Sequence, residues 1–215
     1  MSADWLGARL HCSAWSVLGV LPGRMDQRAA AAYFHRHYRR DDPWAYGGPA
    51  EQRRLAMVEE SLPPVPPTNV LEVGCGEGHL TQRLAQRWPG SEVWVIDVSE
   101  RAVRRARERV GSTASFEVTD LRAWARSYAG PPVDLVVMTD VLYYLGSRTH
   151  VRRALRQVRP HLAAAGHVLV GHATAPASWL HRWAAEGLGL PVCRESSTLS
   201  GAGYRVSVLG PVPGP

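Results

Sequence analysis

Three glycines and a set of acids in this sequence have the types and spacing that hold a small charged ligand. Residues 70–78 read Val-Leu-Glu-Val-Gly-Cys-Gly-Glu-Gly, so Glu72, Gly74, Gly76 and Gly78 alternate. Glycine takes positive φ readily and lets a ligand approach the backbone. A helix opening at such a turn aims its free N–H groups at that ligand. A dinucleotide turn would read G-x-G-x-x-G, but from Gly74 this requires glycine where the sequence has His79. A carboxylate beside the turn suits a cation and repels a pyrophosphate. Asp97 lies 23 positions after Gly74, near the spacing at which an acid binds ribose hydroxyls in bidentate fashion. Asp140, Tyr143, Tyr144 and His172 follow apolar runs. They offer a carboxylate, two hydroxyls and an imidazole, equipment for orienting an acceptor and taking its proton. For His172 the plain alternative is a hydrogen bond at a strand end. For Tyr143 and Tyr144 it is core and cap.

The elements that must position these residues alternate. Val70, Leu71 and Val73 fit a buried parallel strand, and Leu80, Leu84 and Ala85 continue at helical spacing. Further strands are expected at 92–98, ending near Asp97, at 116–120, ending at Asp120, at 133–139, just before Asp140, and at 166–171, just before His172. Ser99 caps the helix after the second strand. A helix over 176–187 precedes two weaker strands, 190–198 and 204–209, joined by Ser200-Gly-Ala-Gly203 as an antiparallel closing pair. Upstream, a helix over 26–38 with Asp26 as cap and a helix over 51–61 flank a turn-rich stretch carrying Trp44 and Tyr46. Pro63, Pro64, Pro66 and Pro67 make a stiff link into the first strand. In an open α/β sheet, ligands bind outside the carboxyl ends of the strands at the switch point, where Glu72, Asp97, Asp120 and Asp140 converge. Asp120 there is placed to accept from an adenine amino group.

The 215 residues suffice for one domain with a sizeable core. Three scattered cysteines, Cys12, Cys75 and Cys193, argue against a disulfide framework and for a reducing, cytoplasmic setting. No Cys/His cluster has zinc spacing, so no metal is expected. No run reaches transmembrane length. The net charge of +6 rests entirely on arginine, with no lysine, concentrated in residues 101–109 and 152–159. A nucleic-acid face is one reading. The solvated sides of amphipathic helices is the preferred one, because the patches lack interleaved aromatics for stacking bases. Residues 1–24 form a poor signal peptide, with Arg9 the one base before a mildly apolar stretch, and are expected to be a dispensable extension preceding Met25.

The glycine motif with its acid resembles the first motif of the class I S-adenosylmethionine (SAM) methyltransferases. Residues from about Phe34 to Leu209 resemble, more narrowly, the NodS-like (nodulation protein S) group. The resemblance is carried by Asp42-Pro-Trp44 with Tyr46, Glu51-Gln-Arg-Arg54, Leu71-Glu-Val-Gly-Cys-Gly-Glu-Gly78, Asp97-Val-Ser, Asp140-Val-Leu-Tyr-Tyr-Leu145 and Gly171-His172. Two positions depart from that group: Ala50, where an aromatic is usual, and Asp140, where Glu is usual. The resemblance implies a Rossmann-like fold, a seven-stranded mostly parallel sheet with an antiparallel last strand and helices on both faces. It implies a SAM-binding domain over 68–210 behind N-terminal helices and a lid over 25–62. It implies cofactor contacts from Trp44, Arg54, Glu72, Gly74, Gly76, Gly78, Asp97, Val98, Asp120, Leu121 and Asp140, and catalysis by Asp140, His172 and Tyr143. The cofactor would be SAM, leaving S-adenosylhomocysteine. The acceptor would be a small molecule, with an amino sugar or glycosylated metabolite preferred. O-methylation, RNA methylation and SAM binding without catalysis are the competing readings, with a nicotinamide oxidoreductase disfavoured by Glu72 and His79.

Overall fold

The computed structural model describes residues 27–198 and 203–211. The expectations for residues 1–24, Met25, Asp26 and most of the 200–203 link lie outside them. Helix α1 (Gln27–His37) and helix α2 (Pro49–Glu60) precede the sheet. Then come β1 (Asn69–Val73), α3 (His79–Arg87), β2 (Glu92–Asp97), α4 (Glu100–Val110), β3 (Ser115–Val118), α5 (Leu121–Ser127) and β4 (Val133–Thr139). A 3-10 turn at Leu142–Leu145 leads to α6 (Arg148–Val158), β5 (Leu162–Ala173), α7 (Thr174–Leu188), β6 (Val192–Ser197) and β7 (Tyr204–Leu209).

The seven strands form one sheet in the order β3-β2-β1-β4-β5-β7-β6. Strands β1 to β5 pair in parallel, and β7 runs antiparallel to both β5 and β6. The switch point lies between β1 and β4, which part there into opposite halves of the sheet. Alternation along the strands explains the two layers. Leu71 and Val73 join Trp124, Val151, Leu155 and Leu180 on one face, under α5, α6 and α7. Val70 joins Leu55, Val58, Leu80 and Leu84 on the other, under α2, α3 and α4. Glu72 falls on this second face by the same alternation, which is why a helix hydroxyl can reach it.

Helix α4 illustrates how composition sets orientation. Ser99 caps it, its hydroxyl accepting from Ala102 N at 3.3 Å. Ala102, Val103 and Ala106 are fully buried, so its arginines face outward or pair locally. Arg105 pairs with Glu77, and Arg109 Nε donates to the Glu77 carbonyl at 2.8 Å.

Three elements differ from the sequence expectation. Strand β3 stops at Val118, and Asp120 is the N-cap of α5, its Oδ1 accepting from Arg122 N and Ala123 N at 2.8 and 2.9 Å. Helix α5 was not foreseen, because seven residues hold too few turns to show a period. Strand β5 is longer than 166–171, since backbone pairing with β4 recruits Leu162 despite the alanine run beside it. His172 accordingly sits inside β5, paired with Arg205 of β7.

Candidate active site

The glycine turn carries Gly74, Gly76 and Gly78 at φ +77°, +54° and +79°. Each angle is in the left-handed region that side chains resist. A Cβ at Gly74 would lie 2.5 Å from Val141 Cγ2. One at Gly76 would lie 2.9 Å from the Tyr38 hydroxyl and 3.0 Å from the Tyr46 hydroxyl. One at Gly78 would meet Ala106 of α4. Val141 and the two tyrosine hydroxyls thus take the space beside Gly74 and Gly76, while glycine at 78 permits close helix packing.

Asp97 closes the turn from β2. Its Oδ2 accepts from Gly76 N at 3.0 Å and its Oδ1 from Ser99 N at 2.8 Å. Burial nevertheless raises it to about 6, against the pull of these amides. Glu72 is 2% exposed and accepts from the Thr81 hydroxyl at 2.6 Å. Burial lifts it to about 7. Val98 is half-buried against α1 and walls a cleft of about 640 Å³ with Ala31, Ala32, His35, Glu100 and Val118. Leu121 is 2% exposed and its side chain is core, so that side chain does not line the site.

Asp140 is held differently. Its φ is +55°, a strained value for a side-chain-bearing residue, fixed by Asp140 N donating to the Gly171 carbonyl at 2.8 Å. Its Oδ1 accepts from the Tyr143 hydroxyl at 3.3 Å and its Oδ2 from the Tyr204 hydroxyl at 3.0 Å. Arg54 Nη1 lies 3.5 Å from Oδ2. Among the described residues it has no hydrogen-bond partner, although it is buried. Arg54 Nε instead binds Glu51 at 2.6 Å, and the guanidinium lies over the Tyr204 ring. Burial raises Asp140 to about 6, Arg54 pulling the other way. Water reaches 29% of its side chain, which moderates the rise.

The N-terminal segment packs over this end of the sheet. Trp44 Nε1 donates to the Tyr38 hydroxyl at 3.0 Å, and the Trp44 ring lies 4.4 Å from that of His37. Phe34 meets Tyr144 edge-on at 4.7 Å. Tyr46 stacks on His79 at 4.3 Å. Asp42 holds the loop, accepting from Tyr46 N at 2.8 Å. Trp44 thus braces α1 and reaches the turn through Tyr38.

His172 requires a correction. It is fully buried, its Nε2 accepts from Leu142 N at 3.2 Å, and its Nδ1 is bonded to His181. Burial holds its pKa well below the usual imidazole range. Neither nitrogen is free to take a proton from an acceptor, so the strand-end hydrogen-bonding alternative is the one the geometry supports. Tyr204 was missed by sequence reasoning. It opens a weak strand, and its only cue is tertiary: the Gly171 position leaves room for its hydroxyl, where a Cβ would come within 2.7 Å.

The donor set fits SAM. Two buried carboxyls, Glu72 and Asp97, and the part-exposed Asp140 suit a sulfonium and an ammonium, and the Arg54 N–H beside Asp140 suits a carboxylate.

Residues 71–168 match a family model described as a methyltransferase domain. Nodulation protein S of Sinorhizobium fredii is 35% identical over 162 residues, 74% of this chain and 73% of that protein. A trans-aconitate 2-methyltransferase of Mycolicibacterium gilvum is 40% identical over 79 residues, 37% of this chain and 29% of that protein. The crystal structure of the N-methyltransferase NodS from Bradyrhizobium japonicum WM9 with S-adenosylhomocysteine superposes with a TM-score of 0.71. It is 27% identical, over 84% of this chain and 97% of that one.

Proposed function

Because this chain belongs to the nodulation protein S family and is a SAM-dependent methyltransferase acting on a small molecule, we propose that it methylates an amine nitrogen. The preferred acceptor is an amino sugar or a glycosylated metabolite. Bound SAM supplies a methyl carbon already activated by its sulfonium. The protein's share is then alignment and exclusion of water.

Gly74 and Gly76 give bare backbone to the cofactor, and Asp97 accepts from its ribose hydroxyls. Glu72 faces its positive charge, and the open N–H of Arg54 takes its carboxylate. Asp120, past its capping oxygen, and Val98 border the adenine side, with the Leu121 contribution confined to backbone. Residues 27–62 serve as a lid, supported by the Tyr38 and Tyr46 hydroxyls that crowd Gly76.

The observation that carries the amine reading is Asp140. Two tyrosine hydroxyls fix its carboxylate, one on each oxygen, and each oxygen keeps a further lone pair. That group attracts an ammonium and orients its nitrogen, and with its pKa raised to about 6 it receives the proton the amine must lose before attack. Tyr143 acts through this carboxylate. Among the described residues no helix is long and apolar enough to cross a membrane, and a cytoplasmic setting suits the free thiols of Cys75 and Cys193.

A second reading has one observation in its favour. The uncommitted Arg54 Nη1 beside Asp140 would also receive an acceptor carboxylate, the substrate type named by the trans-aconitate relative. Incubation with SAM, a panel of amino sugars and a panel of carboxylic acids separates the two by mass. A gain of one methyl on an amine supports the proposal; methyl esters alone overturn it.

A further inference from the structure

A buried chain of hydrogen bonds runs behind the acceptor side. Leu142 N lies 3.2 Å from His172 Nε2, and His172 Nδ1 lies 3.1 Å from His181 Nε2. His181 Nδ1 lies 2.7 Å from Ser207 Oγ, which donates to Glu195 Oε2 at 3.2 Å. Five elements take part: the Leu142–Leu145 turn, β5, α7, β7 and, at the end, β6.

The first link fixes all the others. A backbone N–H can only donate, so His172 Nε2 must be bare and its proton must sit on Nδ1. That proton can only go to His181 Nε2, which places the His181 proton on Nδ1. Nδ1–H then donates to Ser207, whose own hydroxyl proton turns to the Glu195 carboxylate. Each imidazole is neutral, in one tautomer, and fully bonded in a place where an unpaired polar atom is costly.

We propose that His172 and His181 are positioning residues of this methyltransferase, a one-way hydrogen-bond chain that holds the Leu142–Leu145 turn and so sets the Tyr143 hydroxyl on Asp140. The turn carries both acceptor-side tyrosines. Tyr143 binds Asp140, and Tyr144 packs on Phe34 of α1. The chain is no proton path, because its inner end is a backbone amide, whose proton is too weakly acidic to be passed on. The assignment rests on the reading of Asp140 as the acceptor carboxylate only for its consequence, not for the chain itself.

Nuclear magnetic resonance of the full-length protein tests both parts. Long-range ¹⁵N–¹H spectra should show His172 and His181 each as the single Nδ1–H tautomer. A His172 Nε2–H tautomer overturns the chain, whatever Asp140 does. Hydrogen exchange at the Leu142 amide should speed up at least tenfold in His172→Leu and stay near wild type in His172→Gln, whose side-chain oxygen can accept from that amide. The Asp140 carboxyl, followed by ¹³C, should titrate at higher pH in His172→Leu and return in His172→Gln, with SAM affinity unchanged in both. Ser207→Ala removes only the outer link and keeps the core volume, so it covers the case in which His172→Leu fails to fold. It should leave the Nδ1–H tautomer of both histidines intact while the His181 Nδ1 proton, left without its acceptor, exchanges faster with water; a change of either tautomer overturns the one-way chain. An unmoved Asp140 titration in His172→Leu, with the Leu142 amide released, overturns the positioning role.

Discussion

Asp97 and Asp140 stand on either side of the switch point and are both raised to about 6 by burial, yet they are built by opposite means. Asp97 is held by two main-chain amides, Gly76 and Ser99, within a few residues of the strands it joins. Asp140 is held by side chains, the hydroxyls of Tyr143 and Tyr204 with Arg54 alongside. Backbone donors cannot be changed by substitution, so the proposed cofactor carboxylate is held by main chain. Side-chain donors can be exchanged one at a time, which is what a pocket for a particular acceptor needs.

The sharpest break between the halves should come from Asp97→Ala. On the proposed ribose contact, it removes two charge-assisted bonds, a loss of about 2–4 kcal/mol in SAM binding. Calorimetry with SAM, S-adenosylhomocysteine and NAD should show the loss for the first two and no tight binding of NAD. An unchanged SAM affinity would remove Asp97 from the site. Asp140→Ala should act on the other half. Turnover should fall about 10²-fold, far more than SAM affinity, because the loss falls mainly on acceptor and transition state. A variant that binds SAM poorly but turns over normally at saturation would place Asp140 with the cofactor instead.

The same contrast decides what the sequence disclosed. The cofactor half is local: Glu72, the three glycines and Asp97 lie within one strand–turn–helix–strand unit, and their spacing is the signal. The sheet, too, was legible, since apolar runs and caps such as Ser99 are local. The acceptor half joins residues 54, 140, 143 and 204, which no period or spacing connects. Tyr204 therefore went unseen. His172 drew notice as a strand-end imidazole, but its role depends on Leu142 and His181, partners that only the fold supplies. Asp120 was legible as an acid after a strand, while its cap role depended on a helix too short to read.

Tyr204→Phe tests how much of Asp140's setting comes from that one distant residue. One donor to a charged acceptor is lost, roughly 1.5 kcal/mol, so turnover should drop about tenfold with SAM affinity unaffected. The pH profile is the stronger sign. Without the hydroxyl that favours its ionised form, Asp140 should titrate higher, moving the acid limb of the rate upward. Loss of rate with no shift of the limb would mean that Tyr204 acts by packing against Arg54 rather than through the carboxylate.

The smallest effect is on protons, and it bears on both acids at once. A carboxyl whose folded pKa is raised stabilises the fold most when protonated. For Asp97 and Asp140 that contribution is complete below about 3.8 and is lost as pH rises through about 6; for Glu72 the window runs from about 4.5 to about 7. A cation entering the site favours the charged forms, so SAM binding near pH 6.5 should expel protons, on the order of one in total. Affinity should then rise with pH by about tenfold per unit near pH 6.5, more steeply at lower pH, and level off once pH is well above 7. Calorimetry in two buffers of different ionisation enthalpy counts the protons directly. S-adenosylhomocysteine lacks the sulfonium, so it should expel fewer, and the difference reports the acids nearest the methyl group. If that difference survives in Asp140→Asn but disappears in Asp97→Asn, the sulfonium is sensed by the main-chain-held acid. The opposite outcome places the reacting centre against the side-chain-held one, as methyl transfer to an Asp140-bound amine requires.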